Sequence, residues 1–272
     1  MRQPLFLAAL AVAAMAGSAA FGSAEQQATP ARSQQDALAA AIAAPTRTPS
    51  NVLRDAYRHP RETLTFFGVE PDDSVVEIWP GGGWYSEILA PYLAGRGTYH
   101  AVASERGLNG IRSLKEKDPA TYGAIRTAAF PAAEGAARVP DGSADVVLTF
   151  RNVHNWMMAD TPYGEEAFRQ MFAMLKPGGT LGVVDHRLSE EADAARERSS
   201  GYLKPSTVRR LAEQAGFRFV AASEVNANPR DGRDHPDGVW SLPPTFRGGD
   251  ANREKYRAIG ESDRMTLKFV KP

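Results

Sequence analysis

The chain has 272 residues, of which 43% are hydrophobic, 24% charged and 9% aromatic, with Gly 24 and Pro 19. That balance supports a packed core and excludes disordered, collagen-like and fibrous architectures. Lys+Arg and Asp+Glu both number 32, so the whole-chain charge lacks the basic surplus of a dedicated nucleic-acid binder, and no nucleic-acid partner is expected. With Cys 0 there is no thiol nucleophile, disulfide framework, cysteine-held zinc or iron–sulfur cluster, so any catalysis uses His, carboxylates, hydroxyls, backbone or a bound cofactor.

Arg2 precedes an apolar run over 5–16, followed by small residues ending in Gly22-Ser23-Ala24. This is the pattern of a secretory signal peptide, too short to span a bilayer comfortably and with small residues at −3 and −1 of a cut after Ala24. The expectation is a periplasmic or secreted protein with no stable membrane anchor once residues 1–24 are removed. Residues 25–50, rich in Ala, Gln, Thr and Pro, read as a linker with an accessory helix over 34–44 that Pro45 and Pro49 would end.

From Asn51 the signals become regular. Helical pieces broken at Pro60 and closed by Gly68 lead into a strand over 74–79 and a helix over 84–93. A strand over 98–103, a helix over 110–117 and strands over 124–130 and 145–150 follow, then a helix over 164–175 and a strand over 180–185. The alternation implies a parallel sheet with helices on both faces. A helix over 204–215 capped by Gly216, and strands over 217–225 and 265–270, finish the chain. The stretch 226–263 between the last two strands is irregular.

The strongest local signal is Val75-Val76-Glu77-Ile78-Trp79-Pro80-Gly81-Gly82-Gly83-Trp84-Tyr85, a buried strand running into a glycine turn and a helix. Glycines serve where backbone passes close to a ligand or takes positive φ, and the following helix N-terminus offers free N–H groups to a carboxylate or phosphate. Two further blocks follow in order: Val139-Pro140-Asp141-Gly142-Ser143-Ala144-Asp145, then Met174-Leu175-Lys176-Pro177-Gly178-Gly179. In these three blocks the chain, over 51–272, resembles the class I S-adenosylmethionine-dependent methyltransferases. Their first motif is an acidic strand end followed by alternating glycines; Glu77, Gly81 and Gly83 match it, while Trp79 replaces the first glycine. Within that class it is similar to a group of exported predicted methyltransferases that share this first motif and Gly260-Glu261-Ser262-Asp263-Arg264-Met265 near the C-terminus.

The resemblance implies an α/β, Rossmann-like class I methyltransferase sheet, mostly parallel with an antiparallel last strand and helices on both faces. It also implies S-adenosylmethionine as cofactor. Glu77 would support the glycine loop and the methionine amino group, and Gly81, Gly82 and Gly83 would let backbone approach, with Trp79, Trp84 and Tyr85 as walls. The acid that usually ends the second strand and takes the ribose hydroxyls is missing, since Ala103 stands there; Glu105 is the candidate replacement. Glu134 stands where an acid often meets the adenine amino group.

After the fourth strand come Arg151-Asn152-Val153-His154-Asn155, at the strand end where α/β proteins place ligands. His154 is the candidate general base, and Asn152 is placed to orient cofactor or substrate. Asp185 and His186 end the fifth strand beside it as further catalytic candidates. No tight His-x-x-x-His or Glu-x-x-His spacing joins these residues or His235 into a metal site, and none is expected. The stretch 226–263, with Trp240 and Phe246, reads as a substrate lid. Two functions stay open: an exported methyltransferase acting on a small molecule or exposed group, and a protein that keeps the fold for binding or sensing alone.

Overall fold

The computed structural model describes residues 30–250 and 252–272, so the expected signal segment and its cut after Ala24 lie outside the described residues. The valine-rich runs at 75–78 and 146–150 lie in the middle of a sheet, because consecutive apolar residues can all be buried only where a strand is covered on both faces. The strands are β1 (Ser74–Ile78), β2 (Thr98–Val102), β3 (Arg126–Ala128), β4 (Ala144–Phe150), β5 (Leu175–His186), β6 (Arg218–Ser223) and β7 (Arg264–Val270). They form one sheet in the order β3-β2-β1-β4-β5-β7-β6. β1 to β5 pair in parallel, whereas β7 runs antiparallel to both β5 and β6. This is the sheet the resemblance implies. The chain leaves β1 toward β2 and β3, then returns to build outward from β4, so a crevice opens between the β1 and β4 ends.

Helices α1 (Pro30–Ile42), α2 (Pro49–Val52), α3 (Asp55–Arg58) and α4 (Pro60–Phe67) precede β1, and α5 (Ser86–Leu93) joins β1 to β2. Next come α6 (Asn109–Lys117), α7 (Pro119–Tyr122), α8 (Val153–Met158), α9 (Gly164–Met174), α10 (Pro205–Gln214) and α11 (Arg253–Ile259). Strand alternation sends Val75, Val146 and Leu148 toward Leu64, Ile88 and Ile111 of α4, α5 and α6. Val76, Ile78 and Val147 face Trp156, Phe168 and Leu211 of α8, α9 and α10. Among the described residues, no helix is long and apolar enough to cross a membrane.

Several boundaries differ from the sequence reading. The helix expected over 34–44 begins at Pro30, a position that suits proline because its missing N–H has no helical partner there. Leu38 and Ala41 join the core, and Thr48 binds Glu87 through its N–H at 3.0 Å and its hydroxyl at 2.5 Å, so the stretch read as linker is packed on the domain from Gln34 onward. β3 keeps only three of the seven expected residues, as befits an edge strand with exposed Arg126 and Thr127. β5 starts at Leu175 with residues 176–179 looped out of register. The irregular stretch 226–263 contains a 3₁₀ turn over Gly238–Ser241 and α11.

Candidate active site

Glu77 is 3% exposed and is held by the hydroxyls of Tyr99 and Ser86, the latter at 3.2 Å. Both bonds fall on Oε2, which leaves Oε1 for the cavity that Glu77 lines. Burial outweighs the two hydroxyls and pushes this carboxyl up to about 7.

Beyond Glu77 the chain turns at Trp79, whose φ is 53. That left-handed conformation costs a residue with a Cβ roughly 1–2 kcal/mol, and three bonds hold it. The Trp79 N–H donates to Val102 O at 2.8 Å, its Nε1 donates to Phe130 O at 3.1 Å, and its carbonyl accepts from Asn152 Nδ2 at 3.3 Å. Trp79 thus holds a left-handed turn at the position where the motif it resembles has a glycine, and adds a wall. Asn152 Nδ2 also reaches Ile78 O at 2.8 Å, so this side chain ties the end of β4 to the end of β1.

The three glycines divide by role. A Cβ at Gly81, where φ is 59, or at Gly82 would meet nothing within 4 Å. At Gly83, where φ is 82, it would lie 2.5 Å from Leu114 Cδ1. Gly81 and Gly82 therefore present open backbone to the cavity, while Gly83 is needed for packing against α6, a correction to its expected place beside the ligand. Trp84 donates from Nε1 to Asn51 O at 2.9 Å, with the Arg58 guanidinium 4.7 Å from its ring centre. Tyr85 stacks on Phe150 at 3.6 Å.

A cavity of about 400 Å³ continues past Trp79, Gly81 and Asn152 to Ala103, Ser104, Arg106 and Gly107. Ala103 stands in its wall, as the alignment of β2 implies. Glu105 does not: its side chain is 94% exposed and paired with Arg112 at 3.2 Å, because the 3₁₀ turn Arg106–Leu108 points it outward. Glu134 is also exposed and lines neither this cavity nor that of Glu77. Neither acid reaches the ligand cavities, contrary to the expectation for both. Ala103→Asp is expected to tighten S-adenosylmethionine binding about tenfold, since a hydrogen bond to a charged group contributes roughly 1.5–3 kcal/mol and burying the carboxylate offsets part of it. Glu105→Gln is expected to leave affinity unchanged. Calorimetric titration of both variants checks this; equal affinities for Ala103→Asp and parent would put the ribose elsewhere.

On the other side of Arg151 a second cavity, about 190 Å³, is lined by Arg151, His154, Asn155, His186, Trp240, Pro243, Glu261 and Ser262 among others. Asp185, at 0% exposure, accepts His154 Nδ1–H at 2.8 Å, the His154 backbone N–H at 3.2 Å and the His186 N–H at 2.7 Å. With Nδ1 so engaged, Nε2 of His154 carries the lone pair and faces the cavity. His186 binds Ser262 through Nδ1, and its ring lies 4.9 Å from that of His154. Burial first, then any proton taken up by the neighbouring His154 ring, then the charges of Arg151, Arg264 and Arg58, drive the His186 imidazole well below its ordinary range. It stays neutral. His235 is elsewhere, bound at 2.8 Å to Asp231, which also takes the Tyr202 hydroxyl and the Asp263 N–H.

The sequence reading missed the arginines. Arg54, Arg58 and Arg151 line the glycine-turn cavity, and Arg151 lines the histidine cavity as well. Glu261 accepts from Arg54 Nε at 2.6 Å, Arg58 Nε at 3.4 Å and Arg264 Nη1 at 3.0 Å. Burial raises the Glu261 carboxyl, but Arg264, Arg58 and Arg54 overcome it and hold the group at about 2. Two signals were available: Arg151 opens the block containing His154, and Arg264 lies in the C-terminal Gly260–Met265 block.

Residues 76–183 match the family model described as a methyltransferase domain. Among solved structures, the chain is similar to an S-adenosylmethionine-dependent methyltransferase from Aquifex aeolicus, at 17% identity and a TM-score of 0.54, over 83% of this chain and 94% of that one. It is also similar to the 4+2 cyclase SpnF, at 13% identity and a TM-score of 0.56, over 88% of this chain and 93% of that one. No curated protein matches the sequence significantly. Residues 76–183 therefore match a methyltransferase domain, the chain shares the fold of these proteins, and S-adenosylmethionine is the cofactor of that class. The free Oε1 of Glu77, the open backbone at Gly81 and an unpartnered Arg58 nitrogen suit the cofactor's ammonium and carboxylate. The cavity beside Ala103 has room for its adenosine.

Proposed function

We propose that the protein methylates a small molecule held among Arg151, His154, His186 and Trp240, with His154 taking the acceptor's proton. The observation behind this reading is that Arg151 borders both cavities, so a methyl donor in one and an acceptor in the other would meet beside this side chain. When bound, S-adenosylmethionine supplies an electrophilic sulfonium methyl, which leaves S-adenosylhomocysteine once the acceptor's lone pair has taken it. His154 is the base because Asp185 fixes its Nδ1 as donor and directs the Nε2 lone pair to the acceptor. Trp240, Pro243 and Pro244 form an apolar part of the wall, and much of the rate comes from holding donor and acceptor in line. A fold kept for binding alone would leave the buried Asp185–His154 pair without work. The apolar run 5–16 and Gly22-Ser23-Ala24 support export, which N-terminal sequencing of the mature protein checks.

The test is calorimetric titration of the full chain with S-adenosylmethionine and S-adenosylhomocysteine; binding of neither would sink the reading. A finer expectation concerns Glu77. Its carboxyl is raised from 4.5 to about 7, so at pH 6 the free protein holds this proton. A cofactor ammonium beside Oε1 favours the ionised form, and binding should then release a proton. Release should fade above about pH 8, where the group is already ionised. Titrations in two buffers of different ionisation enthalpy measure it. Uptake, or no exchange at pH 6, would remove Glu77 from the ammonium contact.

A further inference from the structure

We propose that the methyl acceptor is a small organic anion whose oxyanion group docks on Arg151 in the seam between the two cavities. This deepens the methyl-transfer reading and rests on it. Arg54, Arg58, Arg151 and Arg264 gather around one ionised partner, Glu261. Glu77, across the glycine-turn cavity, is pushed toward neutrality. The donors are not all used: Arg54 Nη2, Arg58 Nη2 and Arg264 Nε are buried without a hydrogen-bond partner, and the Arg58 and Arg264 side chains are only 4% exposed. Arg151 is drawn down to about 10 by burial, and Arg54 and Arg264 pull it the same way against Glu261. Buried cationic donors with no acceptor are costly unless an anion completes them.

The cofactor can complete Arg54 and Arg58 but leaves Arg151, which lines both cavities, without an anion. S-adenosylmethionine carries one carboxylate against an ammonium and a sulfonium, a net positive charge. Its carboxylate suits Arg54 and Arg58, and its ammonium suits Glu77, but the sulfonium adds a cation beside Arg151. A neutral acceptor would leave these charges facing each other in a site of low dielectric; an anion on Arg151 balances them and presents its nucleophile to His154. The same surplus argues against a metal ion. The ligating atoms of His154, Asp185 and His186 lie within 4.8 Å of one another, but the Asp185 oxygens already accept three N–H groups and the arginines repel a cation.

The test adds benzoate, benzamide or inorganic phosphate to the full chain already saturated with S-adenosylhomocysteine, read by calorimetry at low salt. Failure of S-adenosylhomocysteine to bind overturns the methyl-transfer reading before any anion is added. With it bound, one benzoate or one phosphate per chain is expected alongside it, and whichever binds assigns the acceptor's anionic group as carboxylate or phosphate. Benzamide should not bind. Arg151→Gln should weaken the anion at least about tenfold, Arg151→Lys should restore part of that loss, and added salt should weaken the parent's binding. Should Arg151→Gln melt early, the benzoate–benzamide contrast and the salt dependence decide. Equal binding of benzoate and benzamide, no binding of either anion, displacement of S-adenosylhomocysteine, or a folded Arg151→Gln that binds like the parent would each overturn the proposal.

Discussion

Asp185→Asn is expected to lower methyl transfer by about a thousandfold while leaving S-adenosylmethionine affinity within a factor of about two. Asp185 takes His154 Nδ1–H at 2.8 Å and two backbone N–H groups. An amide has the same shape but offers one acceptor oxygen in place of two. If its oxygen serves the backbone, its NH₂ meets His154 Nδ1 and forces the ring proton onto Nε2, which can then accept nothing from the acceptor. Affinity should hold because Asp185 does not line the glycine-turn cavity. Single-turnover rates on any acceptor the protein methylates, paired with calorimetry, separate the two effects. His154→Ala should lose about a hundredfold or more by the same assay. Parent-like rates for both variants would mean that positioning alone drives the reaction and that the pair is structural.

Gly81→Val is expected to weaken cofactor binding at least about a hundredfold in a protein that still folds. At φ 59 a branched side chain is strained by a few kcal/mol, and its methyls would enter the space left open above the turn. Gly83→Val should fail differently, because at φ 82 its Cβ would start 2.5 Å from Leu114 Cδ1 and turn that buried side chain out of its packing position. Thermal melting and calorimetry on the two variants should dissociate: Gly81→Val folded and non-binding, Gly83→Val with a strongly lowered melting temperature. A Gly81→Val protein that binds like its parent would show that the turn is not a ligand cradle.

The comparison of sequence with structure separates what is local from what is assembled. The order of strands and helices was legible because most strands of the parallel half are short apolar runs that follow a glycine or proline turn, such as Gly97 before β2 and Pro140 and Gly142 before β4. The His154–Asp185 pairing was partly legible, since one residue follows a strand and the other ends the neighbouring one in a sheet of this kind. The orientation of Glu105 was not, because one 3₁₀ turn decides whether a side chain two residues past a strand faces the cavity or the solvent. The arginine cluster was the least legible feature. Its members come from α3 and the residue before it, the end of β4 and the start of β7, and only the closed fold brings them around Glu261. The backbone at Trp79 was not legible either: the sequence shows a tryptophan where the motif has its first glycine, and only the fold shows that it turns there with a φ of 53.

The placement of the indoles makes the protein its own optical probe. The chain has Trp 4, and all four sit at the three cavities or against their walls. Trp79 borders the glycine-turn and adenosine-sized cavities, Trp84 the glycine-turn cavity and Trp240 the histidine cavity, while Trp156 packs edge-on to Trp79 at 6.0 Å. Ligands entering from the donor side and the acceptor side should therefore perturb different emitters. Single Trp→Phe variants would assign each component of the fluorescence change, so that the order in which the two ligands arrive can be timed by stopped flow without a label.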